Sequence, residues 1–358
     1  MSCGLLRRRW DGRLGSAVKN KPSTTEDTED TEELGSKTVW VELSLLLCFC
    51  FFSVFPWFLL FMAIRQITII GTGLIGGSLG LALRKKKFAG RIVGCDREGT
   101  LERARMRGAI DDGSVDPGDA VRGSQVVVLA TPVLAILDLI ERIGPSLPAK
   151  ALLTDVGSTK TAVVDRAVKV FGKNAGKRFL AGHPMAGKEM SGVDYADADL
   201  FQKAVWFLSP LPGQNLNEGL FAEFAGWIDT IGSRIAMLPA EEHDRLCAWI
   251  SHVPQMISTA LAAALVEEFG DEAPLLPAGG RALQEMTRIS ASPYSMWRDI
   301  AISNKGNLEN ALWKVEQRLA HIRENLATRQ LAEEFEQAHL LRKSPVKKRQ
   351  AERHLEKG

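Results

Sequence analysis

Cysteine is scarce in this chain, and the positions of its few cysteines exclude a disulfide framework. There are five in 358 residues, and only Cys95 and Cys247 lie beyond residue 61. No pair of closely spaced cysteines is matched by a second pair or by two histidines, as a structural zinc site requires. We therefore expect no metal site and a reducing, cytoplasmic environment.

An excess of charge of one sign is also missing. The 45 lysines and arginines nearly balance the 43 aspartates and glutamates, and the net charge is +2. Such a chain has no overall field that would attract nucleic acid. The basic residues 341–358 are interpreted as a solvated tail. The composition, 45% hydrophobic and 25% charged, is ordinary for a soluble protein long enough for two domains.

Residues 1–61 differ in character from the rest and are predicted to be a non-globular extension. Residues 22–36, PSTTEDTEDTEELGS, are acidic and have no apolar period. Residues 43–64 contain no charge, and a run of roughly 20 apolar residues can span a bilayer. Pro56 interrupts this run, however, and no linker separates it from the next predicted strand. We interpret residues 1–61 as translated upstream sequence before a start at Met62, with a membrane anchor as the alternative.

A dinucleotide-binding motif follows Met62. The strand-like run QITII at 66–70 leads into GTGLIGGSLG, a helical stretch and a second strand at 91–96. Strand, glycine-rich turn, helix and strand are the context that the G-x-G-x-x-G fingerprint requires. The predicted cofactor-binding turn consists of Gly71, Gly73, Leu74, Ile75 and Gly76.

Asp96 and Arg97, at the end of the second strand, bear on the choice between NAD and NADP. Asp96 lies 20 residues after Gly76, where a carboxylate accepts hydrogen bonds from the ribose of NAD and repels the 2′-phosphate of NADP. Arg97 beside it could instead meet that phosphate, so NADP remains an alternative. Thr131 and Pro132 end another buried strand and are predicted to join the cofactor site, because ligands bind at the carboxyl ends of parallel strands.

The alternation of strands and helices predicts an α/β fold with a Rossmann-type parallel sheet domain at 62–238. Apolar strands at 124–132 and 150–160 are followed by further strands at 204–210 and 233–238. Residues 239–340 carry only helical patterns, with Pro254 as a predicted kink, and are assigned to an all-helical substrate and dimerisation domain. Such an apolar helical domain commonly buries a face against a second copy, so we expect a homodimer.

The stretch GHPMAGKEMSG at 182–192 places a histidine in what is predicted to be a rigid loop after a short strand. An imidazole held in this way is suited to proton transfer. Because a base must be neutral to accept a proton, activity is expected to fall as the pH drops through about 6.5, the unperturbed value for histidine.

Taken together, GTGLIGGSLG, TDVGSTK, HPMAGKE, SHVPQ and MTRIS…MWRDI resemble the prephenate and arogenate dehydrogenases of tyrosine biosynthesis, over about residues 62–320. The resemblance implies NAD-dependent oxidative decarboxylation of prephenate to 4-hydroxyphenylpyruvate, with arogenate or a broad cyclohexadienyl specificity as the alternative. It also implies a homodimer joined through the helical domain.

The same resemblance assigns the site residues. It implies that His183 is the base and that Ser158 orients the substrate hydroxyl. Arg288, which could otherwise pair with Glu285 on its own helix, is implied to bind a substrate carboxylate. His252, Gln255 and Trp297 are implied to complete the substrate site.

One departure from the family pattern concerns the substrate. Many relatives that use prephenate carry histidine where this chain has Gln255, which leaves the choice between prephenate and arogenate open. Two other classes remain as alternatives, a dehydrogenase of β-hydroxy acids and a nonenzymatic NAD-binding module. The first requires a helix-borne catalytic lysine, which SHVPQMISTALAAAL lacks. The second leaves GHPMAG and MTRI without a role.

Overall fold

Eight strands form a single sheet in the computed structural model, which describes residues 64–271 and 274–355, with side chains through residue 343. Residues 1–61 and the predicted start at Met62 lie outside the described residues. The strands are β1 (Gln66–Ile70), β2 (Arg91–Cys95), β3 (Asp112–Ser114), β4 (Val126–Leu129), β5 (Leu152–Asp155), β6 (Phe179–Pro184), β7 (Val205–Ser209) and β8 (Arg234–Met237). The helices between them are α1 (Leu74–Lys85), α2 (Glu98–Met106), α3 (Pro117–Ala120), α4 (Val133–Ile143), α5 (Thr161–Phe171), α6 (Ala175–Arg178) and α7 (Gly219–Thr230).

The sheet is mostly parallel, with the strand order β3-β2-β1-β4-β5-β6-β7-β8. Strands β1 to β6 run parallel to one another, as the sequence predicts. The two strands predicted at 204–210 and 233–238 extend the sheet as expected, but β7 runs antiparallel to β6, and β8 is parallel to β7. The connection from β6 to β7 contains no regular α-helix that would carry the chain back across the sheet, so the chain returns in the opposite direction.

Two hydrophobic cores cover the two faces of the sheet. Successive side chains of a strand point to opposite faces, so Val126 and Val128 join one core while Val127 and Leu129 join the other. All four side chains of β4 are 0% exposed, and burying an aliphatic side chain of this size stabilises the fold by roughly 1.5–3 kcal/mol. Burial on both faces explains why the strands read as continuous apolar runs rather than as alternating ones.

The predicted loop at 182–192 begins later than expected, because Gly182, His183 and Pro184 belong to strand β6. The antiparallel pairing aligns His183 with Phe207 and Pro184 with Trp206. A partner that is distant in sequence therefore makes a strand out of residues whose own preference is for turns. His183 is thus fixed by a strand.

After β8 the described chain is entirely helical. It forms α8 (Ala240–Cys247), a π-helical turn (Ala248–His252), α9 (Val253–Phe269), α10 (Leu275–Thr287), a 3₁₀ turn (Arg288–Ala291), α11 (Tyr294–Ser303), α12 (Lys305–Glu324) and α13 (Gln330–Leu355). The predicted kink at Pro254 appears as the π turn just before it, since proline at the start of α9 has no N–H to continue the ladder.

Two features of this helical region bear on the sequence-based expectations. The predicted tail at 341–358 begins inside α13, which continues to Leu355 because most of its residues favour a helix. Among the described helices, the stretch Ala240–Phe269 is long and apolar enough to cross a membrane by length and composition, a test that the core helix of a soluble protein also passes.

Candidate active site

The glycine-rich turn after β1 forms an open cradle at the carboxyl end of the sheet. Gly71 has a φ of +94°, and a Cβ added there would lie 2.5 Å from the carbonyl oxygen of Ala130. A Cβ on Gly76 would lie 2.0 Å from the carbonyl oxygen of Gly71, so helix α1 packs against the turn only through glycine. Around Gly73, by contrast, no described atom lies within 4 Å of an added Cβ, which leaves room for a ligand.

Asp96 and Arg97 lie beside this turn and line the same cavity, of about 320 Å³, as Gly71 and Thr131. The Asp96 carboxylate accepts hydrogen bonds from the backbone N–H of Thr72 and of Arg97, both at 2.8 Å. The hydroxyl oxygen of Thr131 is buried and has no hydrogen-bond partner among the described residues. The Asp96 carboxylate, which can only accept hydrogen bonds, is therefore available to a ligand that donates from this cavity.

The other predicted cofactor residues do not line this cavity but lie at the starts of two helices. Leu74 and Ile75 open helix α1, between Gly73 and Gly76. Pro132 is the residue before helix α4, and its carbonyl oxygen accepts from the N–H of Ile136. The N-termini of two helices thus face the carboxyl edge of the sheet, an arrangement that favours anions such as phosphates.

His183, at the end of β6, is buried and in contact with the helical region. Its Nδ1 lies 2.9 Å from Nε2 of His243, on helix α8. Nδ1 of His243 in turn lies 2.9 Å from a carboxylate oxygen of Asp244. The sequence singled out His183 but neither of these neighbours, because the run EEHDR at the start of a helix looks like an ordinary charged first turn.

Asp244 also caps a helix of the sheet domain. Its carboxylate accepts from the backbone N–H of Lys160 at 2.7 Å and of Thr161 at 2.9 Å, at the N-terminus of α5. These donors have no partner within their own helix, so a carboxylate that approaches from α8 is stabilised there. The contact fastens α8, and with it His243, to the N-terminus of helix α5.

A fully buried ion pair lies beneath His183. The ammonium group of Lys160 donates to the Asp155 carboxylate and, at 2.7 Å, to the carbonyl oxygen of Gly182. Asp155 also accepts from the backbone N–H of Gly157 at 2.8 Å and of Gly182 at 3.2 Å. Both side chains are 0% exposed. The pair therefore holds together the ends of β5 and β6.

The environment keeps the histidines neutral. Burial is the main cause that lowers the pKa of His183 well below its usual 6.5, and nearby His243, Lys160 and His252 lower it further. Burial also lowers the pKa of His243, against the opposing effect of its hydrogen bond to Asp244. Burial alone would raise the pKa of Asp244, but hydrogen bonds from His243 and from the N-terminus of α5 outweigh it and lower that pKa.

His252 and Trp297 form a second polar group, with their rings 6.0 Å apart and nearly perpendicular. Burial lowers the pKa of His252 to about 4. The side-chain amide of Asn304 donates to Nδ1 of His252 at 3.3 Å and to the carbonyl oxygen of Asp244 at 2.8 Å. Nε2 of His252 and Nε1 of Trp297 are buried, and neither has a hydrogen-bond partner among the described residues.

Gln255 is buried, and its amide group is engaged. It donates to the carbonyl oxygen of Ile289 at 2.9 Å and to the hydroxyl of Thr259 at 3.2 Å. The first of these bonds ties α9 to the 3₁₀ turn that begins with Arg288. Gln255 therefore sets the position of that turn.

Arg288 pairs with Glu189, which follows the HPMAGK stretch after β6. The alternative partner that the sequence suggested, Glu285, is bound instead by Arg281 at 2.8 Å. Arg288 is 62% exposed and lines a cavity of about 860 Å³ between α9, α10 and the 3₁₀ turn. A solvated arginine paired with a single carboxylate can exchange that partner for the carboxylate of a ligand.

Ser158 is half-buried in the loop between β5 and α5. Its neighbour Thr159 shares a hydrogen bond of 2.8 Å with Ser303 of helix α11. The loop that carries Ser158 is therefore fixed by the sheet at one end and by the helical region beside it. Sequence reasoning did not predict this contact, which depends on a residue 144 positions away.

The ligand atoms of His183, His243 and Cys247 lie within 4.8 Å of one another, so these residues could in principle share a metal ion. The two histidine nitrogens are 2.9 Å apart, which is a normal hydrogen-bond length. Two imidazoles on a tetrahedral zinc ion, with bonds of about 2.0–2.1 Å, would place their nitrogens about 3.3 Å apart. The spacing therefore fits a shared proton better than a shared metal.

Family models match most of the described chain. The model for the prephenate dehydrogenase nucleotide-binding domain matches residues 79–235, and the model for the prephenate dehydrogenase dimerization domain matches residues 239–340. The chain belongs to the prephenate dehydrogenase family. Family membership explains why one chain combines a nucleotide-binding domain with a helical dimerization domain.

Individual relatives agree with the family models. The chain is 35% identical over 250 residues to the prephenate dehydrogenase of Bacillus subtilis, a match that covers 68% of this chain and 65% of that protein. It therefore spans slightly less than two thirds of that relative's length. It is 31% identical over 246 residues to the cyclohexadienyl dehydrogenase of Zymomonas mobilis, which covers 67% of this chain and 81% of that protein.

Solved structures of the family share the fold. A prephenate dehydrogenase from Aquifex aeolicus, crystallised with hydroxyphenyl propionate and NAD+, superposes with a TM-score of 0.67 at 29% identity, covering 79% of this chain and 97% of that one. An arogenate dehydrogenase from Synechocystis superposes with a TM-score of 0.63 at 26% identity, covering 79% of this chain and 99% of that one. The family thus includes both substrate specificities.

Proposed function

We propose that this protein is an NAD-dependent prephenate dehydrogenase, which converts prephenate to 4-hydroxyphenylpyruvate in tyrosine biosynthesis. The observation that carries the proposal is His183. It is a buried imidazole with a lowered pKa, held at the carboxyl edge of a sheet that carries a dinucleotide cradle. A neutral base at that edge fits a reaction in which a substrate hydroxyl loses a proton.

The reaction balances with one proton taken up and returned by His183. Bound NAD+ supplies the hydride acceptor. As the C–H bond of the carbinol carbon breaks, His183 takes the hydroxyl proton and the C–O bond becomes a carbonyl. The bond between the ring and its carboxylate then breaks, CO₂ leaves, and the electron pair of that bond makes the ring aromatic. His183 returns its proton to the resulting phenolate oxygen, so no net proton is released.

The remaining site residues bind and orient the substrate. We assign Ser158 to the substrate hydroxyl, because the loop that carries it is fixed at both ends. Arg288 binds a carboxylate in place of Glu189, since its planar guanidinium matches two carboxylate oxygens. His252 and Trp297 supply two buried ring nitrogens that need acceptors, and Gln255 holds the turn that carries Arg288.

We assign the cofactor to the cradle formed by Gly71, Gly73 and Gly76, with Asp96 at the ribose. The Asp96→Ser variant is expected to raise the ratio of kcat/KM for NADP+ to that for NAD+ about tenfold or more. The reason is that the variant removes the negative charge that would repel a 2′-phosphate. Steady-state kinetics with both cofactors measures the ratio.

Asp138→Ser is the matched control for this variant. It removes another carboxylate that lines the same cavity but sits on helix α4, and it is expected to leave the ratio near that of the unmodified protein. A native preference for NADP+ would show instead that Arg97 is the dominant contact.

The substrate is tested by following NADH formation with prephenate and with arogenate. We expect a higher kcat/KM for prephenate. Gln255 favours the second candidate, arogenate, because many prephenate-using relatives carry a histidine there, and a higher value for arogenate would establish that activity instead. No NADH with either substrate would contradict the proposed function and would leave cofactor binding without catalysis.

We also propose a cytoplasmic homodimer formed through the helical region. Within the apolar stretch Ala240–Phe269, only 22% of the apolar 18-residue window is buried within one chain. Val266, Phe269, Leu276 and Met286 are each 50–59% exposed. A second copy that covers these side chains would remove their exposed apolar surface from water.

A further inference from the structure

Three buried side chains form a line that ends at the proposed base. Asp244, His243 and His183 are joined by two contacts of 2.9 Å each, the first between Asp244 Oδ1 and His243 Nδ1 and the second between His243 Nε2 and His183 Nδ1. His243 is 0% exposed and Asp244 1%, so neither contact is shared with bulk water. The protonation of each member is therefore set by its neighbours.

The first member of this hydrogen-bonded series is the carboxylate of Asp244. Asp244 accepts two backbone N–H groups from the start of helix α5, at 2.7 and 2.9 Å, and these bonds favour its ionised form. An ionised carboxylate can only accept hydrogen bonds. The nitrogen of His243 that faces it, Nδ1, must therefore carry the hydrogen.

The direction of the second hydrogen bond follows from the first. A neutral imidazole has one N–H and one bare nitrogen. Since Nδ1 of His243 is the N–H, its Nε2 is the bare nitrogen and accepts. Nδ1 of His183 must then be the donor, which leaves Nε2 of His183 bare.

We propose that His243, oriented by Asp244, is a positioning residue that holds His183 in the tautomer with hydrogen on Nδ1, so that Nε2 is the atom that takes the substrate proton. This inference rests on the proposed function. We call the hydrogen-bonded series Asp244, His243 and His183 the relay. Without it, the neutral imidazole of His183 exchanges between two tautomers, and only one of them presents Nε2 as a base. The relay also keeps an acceptor on Nδ1–H while His183 carries the extra proton.

Cys247 touches the same two histidines but does not belong to the relay. Its sulfur lies 3.4 Å from Nε2 of His243 and 4.0 Å from Nδ1 of His183. Burial raises the pKa of this thiol to about 12, so it is a neutral, weak donor. Cys247→Ala therefore changes the packing of the cluster and leaves the relay intact, which makes it the matched control.

The tautomer of His183 is read by nitrogen NMR of the full-length protein with labelled histidine, and the His183 signals are identified by their loss in His183→Asn. We expect a protonated Nδ1 and a bare Nε2 in the unmodified protein and in Cys247→Ala. His243→Phe removes the acceptor, so the bare-Nε2 form should lose its predominance. His243→Gln places an amide oxygen near the former Nε2 position and should restore it.

Kinetics should follow the tautomer. His243→Phe is expected to lower kcat roughly 10–10³-fold, the range seen when a group that orients a catalytic histidine or ligand is removed. The KM for prephenate should stay near its original value, because His243 does not touch the substrate in this assignment. His243→Gln should recover at least about tenfold of the lost kcat, as expected if an acceptor is what matters.

Each failure has a distinct signature. Suppose that His183→Asn is inactive, whereas His243→Phe keeps the native kcat and still has His183 protonated on Nδ1. The relay is then wrong and the proposed function stands. If neither prephenate nor arogenate is oxidised but His243→Phe shifts the tautomer, the proton arrangement is right and the proposed function is wrong. Loss of activity on chelation that added zinc restores would show that the three ligand atoms hold a metal, and would overturn the relay.

Discussion

His183→Asn is expected to lower kcat roughly 10²–10⁴-fold, the usual contribution of a general base. Asparagine is similar in size and its amide can hydrogen-bond, but it cannot take up a proton near neutral pH. Prephenate and NAD+ should still bind, because the residues assigned to them are not changed. Steady-state kinetics, together with binding measured by isothermal titration, separates the two effects.

A loss of folding must be distinguished from a loss of the base. His183 is only 8% exposed, so circular dichroism and thermal unfolding of the variant should accompany the kinetics. His321→Asn is the matched control, because it makes the same exchange at a histidine of helix α12 whose side chain is 43% exposed. A folded His183→Asn variant with near-native kcat would remove His183 from the role of base.

The pH dependence of kcat/KM gives a second test of the same residue. Burial, and to a lesser extent His243, Lys160 and His252, lower the pKa of His183 well below 6.5. A lowered pKa means that the neutral, active form persists to lower pH. The acid limb of kcat/KM should therefore lie below 6.5, lower than the sequence alone suggested. An acid limb at or above 6.5 would contradict a neutral, buried base.

The sequence predicted the parts of this site that depend on local geometry. The turn at Gly71 and Gly76 needs glycine whatever surrounds it, and Asp96 follows from the length of one strand-helix-strand unit. The position of His183 depends on its pairing with Phe207, 24 residues later, so its strand was mistaken for a loop. A contact between distant elements leaves no pattern in either of them.

The same reason explains why the relay was missed. Asp244 caps α5 across 83 residues, and His243 meets His183 across 60. From the sequence, both residues satisfy the ordinary preference for acidic and polar side chains at the start of a helix. The motif TDVGSTK was recognised, but the burial of its lysine was not, since Lys160 finds both of its partners only after β5 and β6 align.

Lys160→Met is expected to destabilise the protein by roughly 3–5 kcal/mol, the effect of removing one partner from a buried ion pair. The substitution keeps most of the side-chain volume but leaves the Asp155 carboxylate in a fully buried position without its cation. It also removes the donor to the carbonyl oxygen of Gly182, next to His183. Urea unfolding at a fixed protomer concentration measures the change, since the proposed homodimer would make apparent stability depend on concentration.

Two further variants isolate the cause. Lys160→Met combined with Asp155→Asn should be more stable than Lys160→Met alone, because the amide carries no charge and its single oxygen can still accept from one of the two backbone N–H groups, that of Gly157 or that of Gly182. Lys85→Met removes the lysine of an ion pair with Asp199 whose side chains are 51% and 54% exposed, and it should change stability by no more than about 1 kcal/mol. If Lys160→Met were as mild as Lys85→Met, or the double variant were no more stable than the single one, the uncompensated charge of Asp155 would not be what destabilises the protein. The ends of β5 and β6 would then be held by their backbone hydrogen bonds and the cap from Asp244, and Lys160 would not be needed to keep His183 in place.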